Sequence, residues 1–381
     1  MREAQPSFSK PLHAIRGIAA LVVVLAHVWI PVLRFDPTWK GVAAYFNSGS
    51  AVGLFFVLSG LVLTLSLKRM PDNLSSYAAY AIRRLFRLLP LLGTSVFVGS
   101  ACIIFLDPLT TIPFQDIGPL EVPHFLAAFI GYSIRPNPPS WSIYVEIVIS
   151  LVLPLMWVAY NSGYKISLIV AVVIVSSLDA RLQHRWNFYL INFLAGMSIL
   201  SWGQSLRFSS SVAFWSAFSS LVAVFYFDRA IVVWISGYER TLTDNQWINL
   251  LDVVLVTPIL AAVFHNSERF LWLGNKVGTF LGEVSYSIYL NHWFVVSIVS
   301  NCVIGFWPGA GLHAGAFWLI SAAFVLAIVI PLSYVSYRWI ELPGLRLGKV
   351  LANRISASVL IPKHPCSNSR DEIKSRVGLS S

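Results

Sequence analysis

The chain reads as a series of long apolar stretches separated by short polar turns. A helix needs ~20 apolar residues to cross a bilayer, at about 1.5 Å of rise each. Stretches near that length run over 12–34, 46–67, 88–106, 141–160, 187–203, 211–227, 247–265, 280–306 and 314–337. A tenth, Lys165 to Leu178, is shorter but wholly apolar in its middle. His124 to Tyr132 is too short to span and reads as a re-entrant or interfacial piece. The pattern predicts an all-α, polytopic membrane bundle of about ten transmembrane helices over residues 1–343. A polar cytoplasmic tail is expected over 344–381.

Orientation follows from the excess of Lys and Arg in cytoplasmic loops. With the N-terminus inside, only Arg34, Lys40, Arg135, Arg181, Arg185, Arg229 and Arg240 of the 27 basic residues fall outside. Both termini are then cytoplasmic. The apolar run from Ile18 is too long for a cleavable signal peptide. Composition agrees, because the chain is 56% hydrophobic and only 12% charged, whereas soluble domains carry roughly 25% charged residues. The net charge of +10 invites a nucleic-acid reading, but the basic residues flank apolar segments. The bilayer is the partner this implies, with no nucleic acid. Three cysteines make neither a disulfide framework nor a metal site. Cys102 and Cys302 fall near the outer ends of expected spans, where they can pair or stay as buried free thiols.

An ionisable side chain at the bilayer centre costs ~2.5–3.5 kcal/mol on the lenient insertion scale, so such residues point to function. The first stretch carries Arg16 and His27. Eleven residues at about 100° each return His27 to within about 20° of Arg16, ~16 Å further along the axis. Both are expected to face one cavity. A histidine there can act as a general base near neutral pH, or hydrogen-bond a neighbouring helix. Arg83, Arg84 and Arg87 lie at the expected inner mouth of the third span. Arg84 and Arg87 share a helical face, and the guanidinium fork suits a phosphorylated ligand. The positive-inside rule alone also places one or two arginines there. Ser142 and Glu146 are i, i+4 neighbours, so the carboxylate can accept from that hydroxyl or pair with a cation of another helix. Ser285, Tyr289 and His292 form a polar stripe. Arg338 and Glu341 are expected to pair where the last span ends before Pro343. Gly49/Gly53 and Gly274/Gly278/Gly282 suit close helix packing.

Six motifs in order resemble the acyltransferase-3 family of membrane O-acyltransferases. They are Arg16 with His27; Phe55-Phe-Val-Leu-Ser59-Gly60; Arg84-Leu-Phe-Arg87 before Pro90; Trp141-Ser142-x-x-Val-Glu146; Leu281-Gly-x-x-Ser285-Tyr-Ser-x-Tyr289 with His292; and Glu341-x-Pro343. The likeness extends from about residue 12 to 348. It implies that an acyl group, usually acetyl, moves from cytoplasmic acyl-CoA to a hydroxyl of a cell-surface or exported carbohydrate or glycolipid. No metal is implied, and the setting is a bacterial plasma membrane. In that picture His27 is the catalytic base or acyl-transfer residue, Arg16 orients the donor, and Arg84 and Arg87 hold the coenzyme A phosphates. Glu146 is a third catalytic candidate, and Ser59, Trp141, Ser142, Ser285, Tyr289 and His292 are possible pocket residues. Relatives often follow Val-Glu with a second carboxylate, but here Ile147, Val148 and Ile149 follow. An appended extracytoplasmic hydrolase-like domain, common among relatives, is not expected. The alternative is a transporter or flippase of a lipid-linked sugar, but the internal repeats such proteins commonly show are not apparent in the sequence.

Overall fold

The computed structural model describes residues 10–43, 46–110, 120–178, 182–205, 246–306 and 313–360, with a few positions between 212 and 220. Most of the expected span at 211–227 lies outside the described residues, as does Cys366. Among the described residues regular structure is helical and no strand occurs.

The long elements in chain order are α1 (Lys10–Phe35), α2 (Ser48–Lys68), α3 (Leu74–Ala101), α4 (Val122–Ala128), α5 (Ser140–Asn161), α6 (Lys165–Ser177), α7 (Leu190–Ser205), α8 (Gln246–His265), α9 (Lys276–Phe306), α10 (Ala314–Ser336) and α11 (Leu342–Leu360). Six helical stretches are long and apolar enough to cross a bilayer: α1, α2, α3 with its continuation to Leu109, α5, α9, and α10 running on to Ser356. Residues 249–265 of α8 and the 13-residue α6 are shorter apolar helices. Seven residues of α4 reach only ~10 Å against a hydrocarbon core of about 30 Å.

Three features depart from the pattern read in the sequence. First, α3 begins at Leu74, well before residue 88. Asn73 caps it, accepting from the Ser76 N–H at 2.9 Å. An apolar window misses this first half because it carries Arg83, Arg84 and Arg87, which lie within the helix and not at its first turn. Second, Pro343 does not end the last span. A π turn over Tyr337–Glu341 passes into α11, and its shifted hydrogen bonding accommodates Pro343 within a continuous helical stretch. The polar tail thus starts as a helix packed on α3, close enough that a Cβ on Gly344 would lie 2.7 Å from the Phe86 carbonyl oxygen. Third, the π turn points Glu341 inward. It is 2% exposed and accepts from Ser287 at 3.1 Å, while Arg338 stays exposed. Cys102 and Cys302 are free, and Cys302 is exposed rather than buried.

Small residues bring the central helices together, as they do where lipid supplies no hydrophobic drive for association. A Cβ on Gly282 would lie 2.1 Å from the His13 carbonyl oxygen, which sets α9 against α1. Gly60 and Gly196 likewise let the backbones of α2 and α7 touch. Gly49, by contrast, faces only the Asn47 side chain that caps its own helix.

Candidate active site

Among the described residues, two cavities inside the bundle take in most of the expected site residues. One, of about 330 Å³, lies among α1, α2, α3, α5 and α9, and is lined by His13, Arg16, Ser59, Arg84, Arg87 and Glu146 together with apolar side chains of α2. Ser142, Ser285, Tyr286 and Tyr289 also face it. The other, of about 860 Å³, is lined by His27, Trp141, His184, Arg185, Tyr189 and Trp293 among others. Val52 and Tyr289 line both. The sequence placed Arg16 and His27 in one cavity, and the structure puts them in adjoining ones. They do share a face of α1, but about 16 Å of rise carries them past opposite sides of the Val52–Tyr289 wall.

In the smaller cavity the buried Arg84 forms an ion pair with Glu146, whose side chain is 16% exposed. The hydroxyl that supports this carboxylate comes from Ser59 of α2, at 2.7 Å. The i, i+4 neighbour Ser142 instead engages Tyr289 at 2.8 Å and the Pro139 carbonyl at 3.1 Å. Arg16 and Arg87 lie within electrostatic reach of the same pair and of Glu341. Three guanidinium groups therefore face two carboxylates, which leaves positive charge in excess. The Arg84 Nε–H is buried and has no hydrogen-bond partner. Surplus positive charge around a cavity suits an anionic ligand, which the guanidinium fork can bind.

In the larger cavity the His27 Nδ1 lies 2.7 Å from the Val23 carbonyl oxygen. A carbonyl only accepts, so Nδ1 carries the proton and the neutral ring keeps its lone pair on Nε2. His292 stands beside it, ring centroids 4.9 Å apart, with its Nδ1 2.6 Å from the Tyr289 carbonyl. His292 is fully buried and lines neither cavity, so the polar stripe of α9 divides: Ser285 and Tyr289 face open space and His292 lies behind them. Trp141 meets Tyr189 at 5.6 Å between ring centroids, and Trp293 presents an edge to His27 at 5.5 Å. The segment before α5 is anchored by Asn137, whose amide donates to the Leu290 carbonyl at 3.1 Å. His184 and Arg185 both hold left-handed φ, 52° and 47°, a strained conformation for residues other than glycine. The His184 Nε2 is 2.9 Å from the Tyr132 carbonyl.

The sequence profile of an acyltransferase domain matches residues 11–338, and so covers every element of both cavities. The chain belongs to the acyltransferase-3 family. It is 24% identical over 327 residues to a protein named acetyltransferase ORF330 of Acidianus two-tailed virus, covering 81% of this chain and 89% of that one. It is 26% identical over 335 residues to the exopolysaccharide production protein ExoZ of Rhizobium meliloti strain 1021, covering 83% and 95%. A protein of Staphylococcus aureus strain COL, named as an O-acetyltransferase, is 24% identical over 377 residues, covering 88% of this chain and 57% of its own length. No solved structure matches the chain.

Several residues of this acyltransferase that face the cavities are not singled out by sequence. His13 lies three residues before Arg16, and that spacing on one helical face is a signal the sequence carries. Val52 and Tyr189 carry no polar or periodic mark. Asp252 lines neither cavity, but it is 5% exposed, is bonded by Ser50 across α2 and α8, and is a carboxylate inside an apolar helix. The rule that selected Glu146 selects it too.

Proposed function

We propose that this acyltransferase is an O-acetyltransferase of the bacterial plasma membrane, taking acetyl from cytoplasmic acetyl-CoA to a hydroxyl of a surface or exported carbohydrate. The observation that supports this reading best is the pair of cavities meeting at Val52 and Tyr289. One offers three arginines for a phosphorylated ligand, and the other offers a histidine lone pair among aromatic rings. Arg16, Arg84 and Arg87 would hold the donor's phosphates, with Glu146 fixing the Arg84 fork. The rings of Trp141, Tyr189 and Trp293 give apolar faces against which a sugar ring can lie, as binding sites with few polar groups commonly do.

The chemistry then needs one base. The acceptor hydroxyl gives its proton to His27 Nε2 and its oxygen attacks the thioester carbonyl carbon. The C–S bond breaks, and the leaving thiolate takes the proton from the imidazolium. Positioned acid–base work of this kind contributes about 10²–10⁴-fold. The bundle is proposed to cross the membrane ten times with both ends in the cytoplasm, so that the donor cavity faces the side where acyl-CoA is found.

Mass spectrometry of surface carbohydrate from a strain lacking the gene tests the reading. Loss of acetyl groups from otherwise intact repeats is the expected result. Loss of whole sugar units would contradict it and favour transport of a lipid-linked sugar.

A further inference from the structure

The wall between the cavities consists of Val52 on α2 and Tyr289 on α9, the two residues that line both. Their side chains are 7% and 6% exposed. Phe55, one turn on from Val52, meets the Tyr289 ring at 6.0 Å between centroids, edge to face. The phenol is tied down: its hydroxyl accepts from Ser142 at 2.8 Å and lies 3.3 Å from the Pro139 carbonyl. Its backbone carbonyl in turn holds the His292 ring. On the opposite side a valine in a helix has essentially one rotamer. Both sides of the shared wall are therefore rigid, and close-packed protein interiors resist even one added methylene.

We propose that Val52 and Tyr289 determine the length of the acyl group, admitting a two-carbon chain and excluding longer ones. This rests on the donor and acceptor cavities proposed above. If arginines hold the donor on one side and His27 acts on the other, the thioester carbonyl has to sit at the shared wall. As the C–O bond to the acceptor forms and the C–S bond breaks, the acyl group is the only part of the donor that crosses. Its chain then lies between the valine methyls and the phenol ring.

The test uses the purified full-length protein with acetyl-, propionyl- and butyryl-CoA, and surface carbohydrate extracted from a gene-deletion strain as acceptor. The wild-type protein is expected to prefer acetyl over butyryl by about tenfold or more, the scale on which hydrophobic sites separate chains by a methylene or two. Val52→Ala is expected to narrow that ratio by about tenfold and Val52→Ile to widen it, so either variant decides the question if the other fails to fold. Equal use of all three donors by the wild type, or ratios unmoved in both variants, overturns the proposal. Absence of transfer from every donor by the wild-type protein would instead remove the reading beneath it, and the proposal with it.

Discussion

The two cavities are built from the same helices and share a wall, yet they are polar in different ways. The smaller one, of about 330 Å³, is a place of fixed charge. Its arginines and carboxylates compensate one another within an apolar bundle, where a lone charge is expensive. The larger, of about 860 Å³, has no carboxylate in its described lining and sets imidazole and aromatic rings beside a single guanidinium, that of Arg185. The division separates two tasks that conflict in one space. Fixed positive charge holds an anion, whereas a base that must stay neutral at rest is better kept away from three guanidinium groups.

The comparison can be broken most severely at the ion pair. Glu146→Ala leaves Arg84 uncompensated and is expected to destabilise the protein by about 3–5 kcal/mol, read as the midpoint of thermal inactivation in detergent. Replacing both partners, Arg84→Met with Glu146→Leu, is expected to recover most of that stability while acyl-CoA binding stays lost. Recovered binding would show that the pair serves only the fold. Next in size is Arg87→Ala, which should raise the acyl-CoA dissociation constant roughly 10- to 100-fold, as for a lost hydrogen bond to a charged group, with the acceptor KM unmoved. Trp141→Ala should do the reverse, raising the acceptor KM about tenfold on the scale of a buried aromatic contact and sparing the donor. An effect of either substitution on both substrates would erase the distinction between the cavities.

The smallest effect concerns the turn at Gln183–Tyr189 that lines the larger cavity. Burial holds the His184 imidazole below the ordinary histidine range, with the Tyr132 and Gly131 carbonyls pulling the other way. As pH falls below about 6.5 the unfolded chain binds a proton that the folded loop refuses, so stability present above that pH declines below it. His184→Gln keeps a donor for those carbonyls and should flatten the fall in thermal midpoint between about pH 7 and pH 5. An unchanged slope would assign the acid sensitivity elsewhere.

Much of this arrangement was legible in the chain because a membrane makes polar residues conspicuous. Arg16, Arg84, Arg87 and Glu146 stand out from apolar helices, and the structure gathers them around one cavity. What could not be read was depth and partner. Windowed hydropathy starts the third helix late because the arginines that matter interrupt it. The i, i+4 rule offered Ser142 to Glu146, but tertiary packing supplies Ser59 from another helix. Helical phase put Arg16 and His27 on one face and could not show that Tyr289, from a helix far along the chain, comes between them. Nor does local sequence reveal that a π turn rotates Glu341 away from Arg338. The misses at Ser59 and Tyr289 belong to contacts between distant segments, which local periodicity does not encode.

The central claim is that donor binding and proton removal occupy different cavities, and His27→Ala tests it most directly. Equilibrium binding of acetyl-CoA and transfer to deacetylated surface carbohydrate would be measured on the same purified preparation. The account predicts transfer reduced by at least about 10²-fold with acetyl-CoA affinity unchanged. Retained transfer, or affinity lost along with it, would contradict the account.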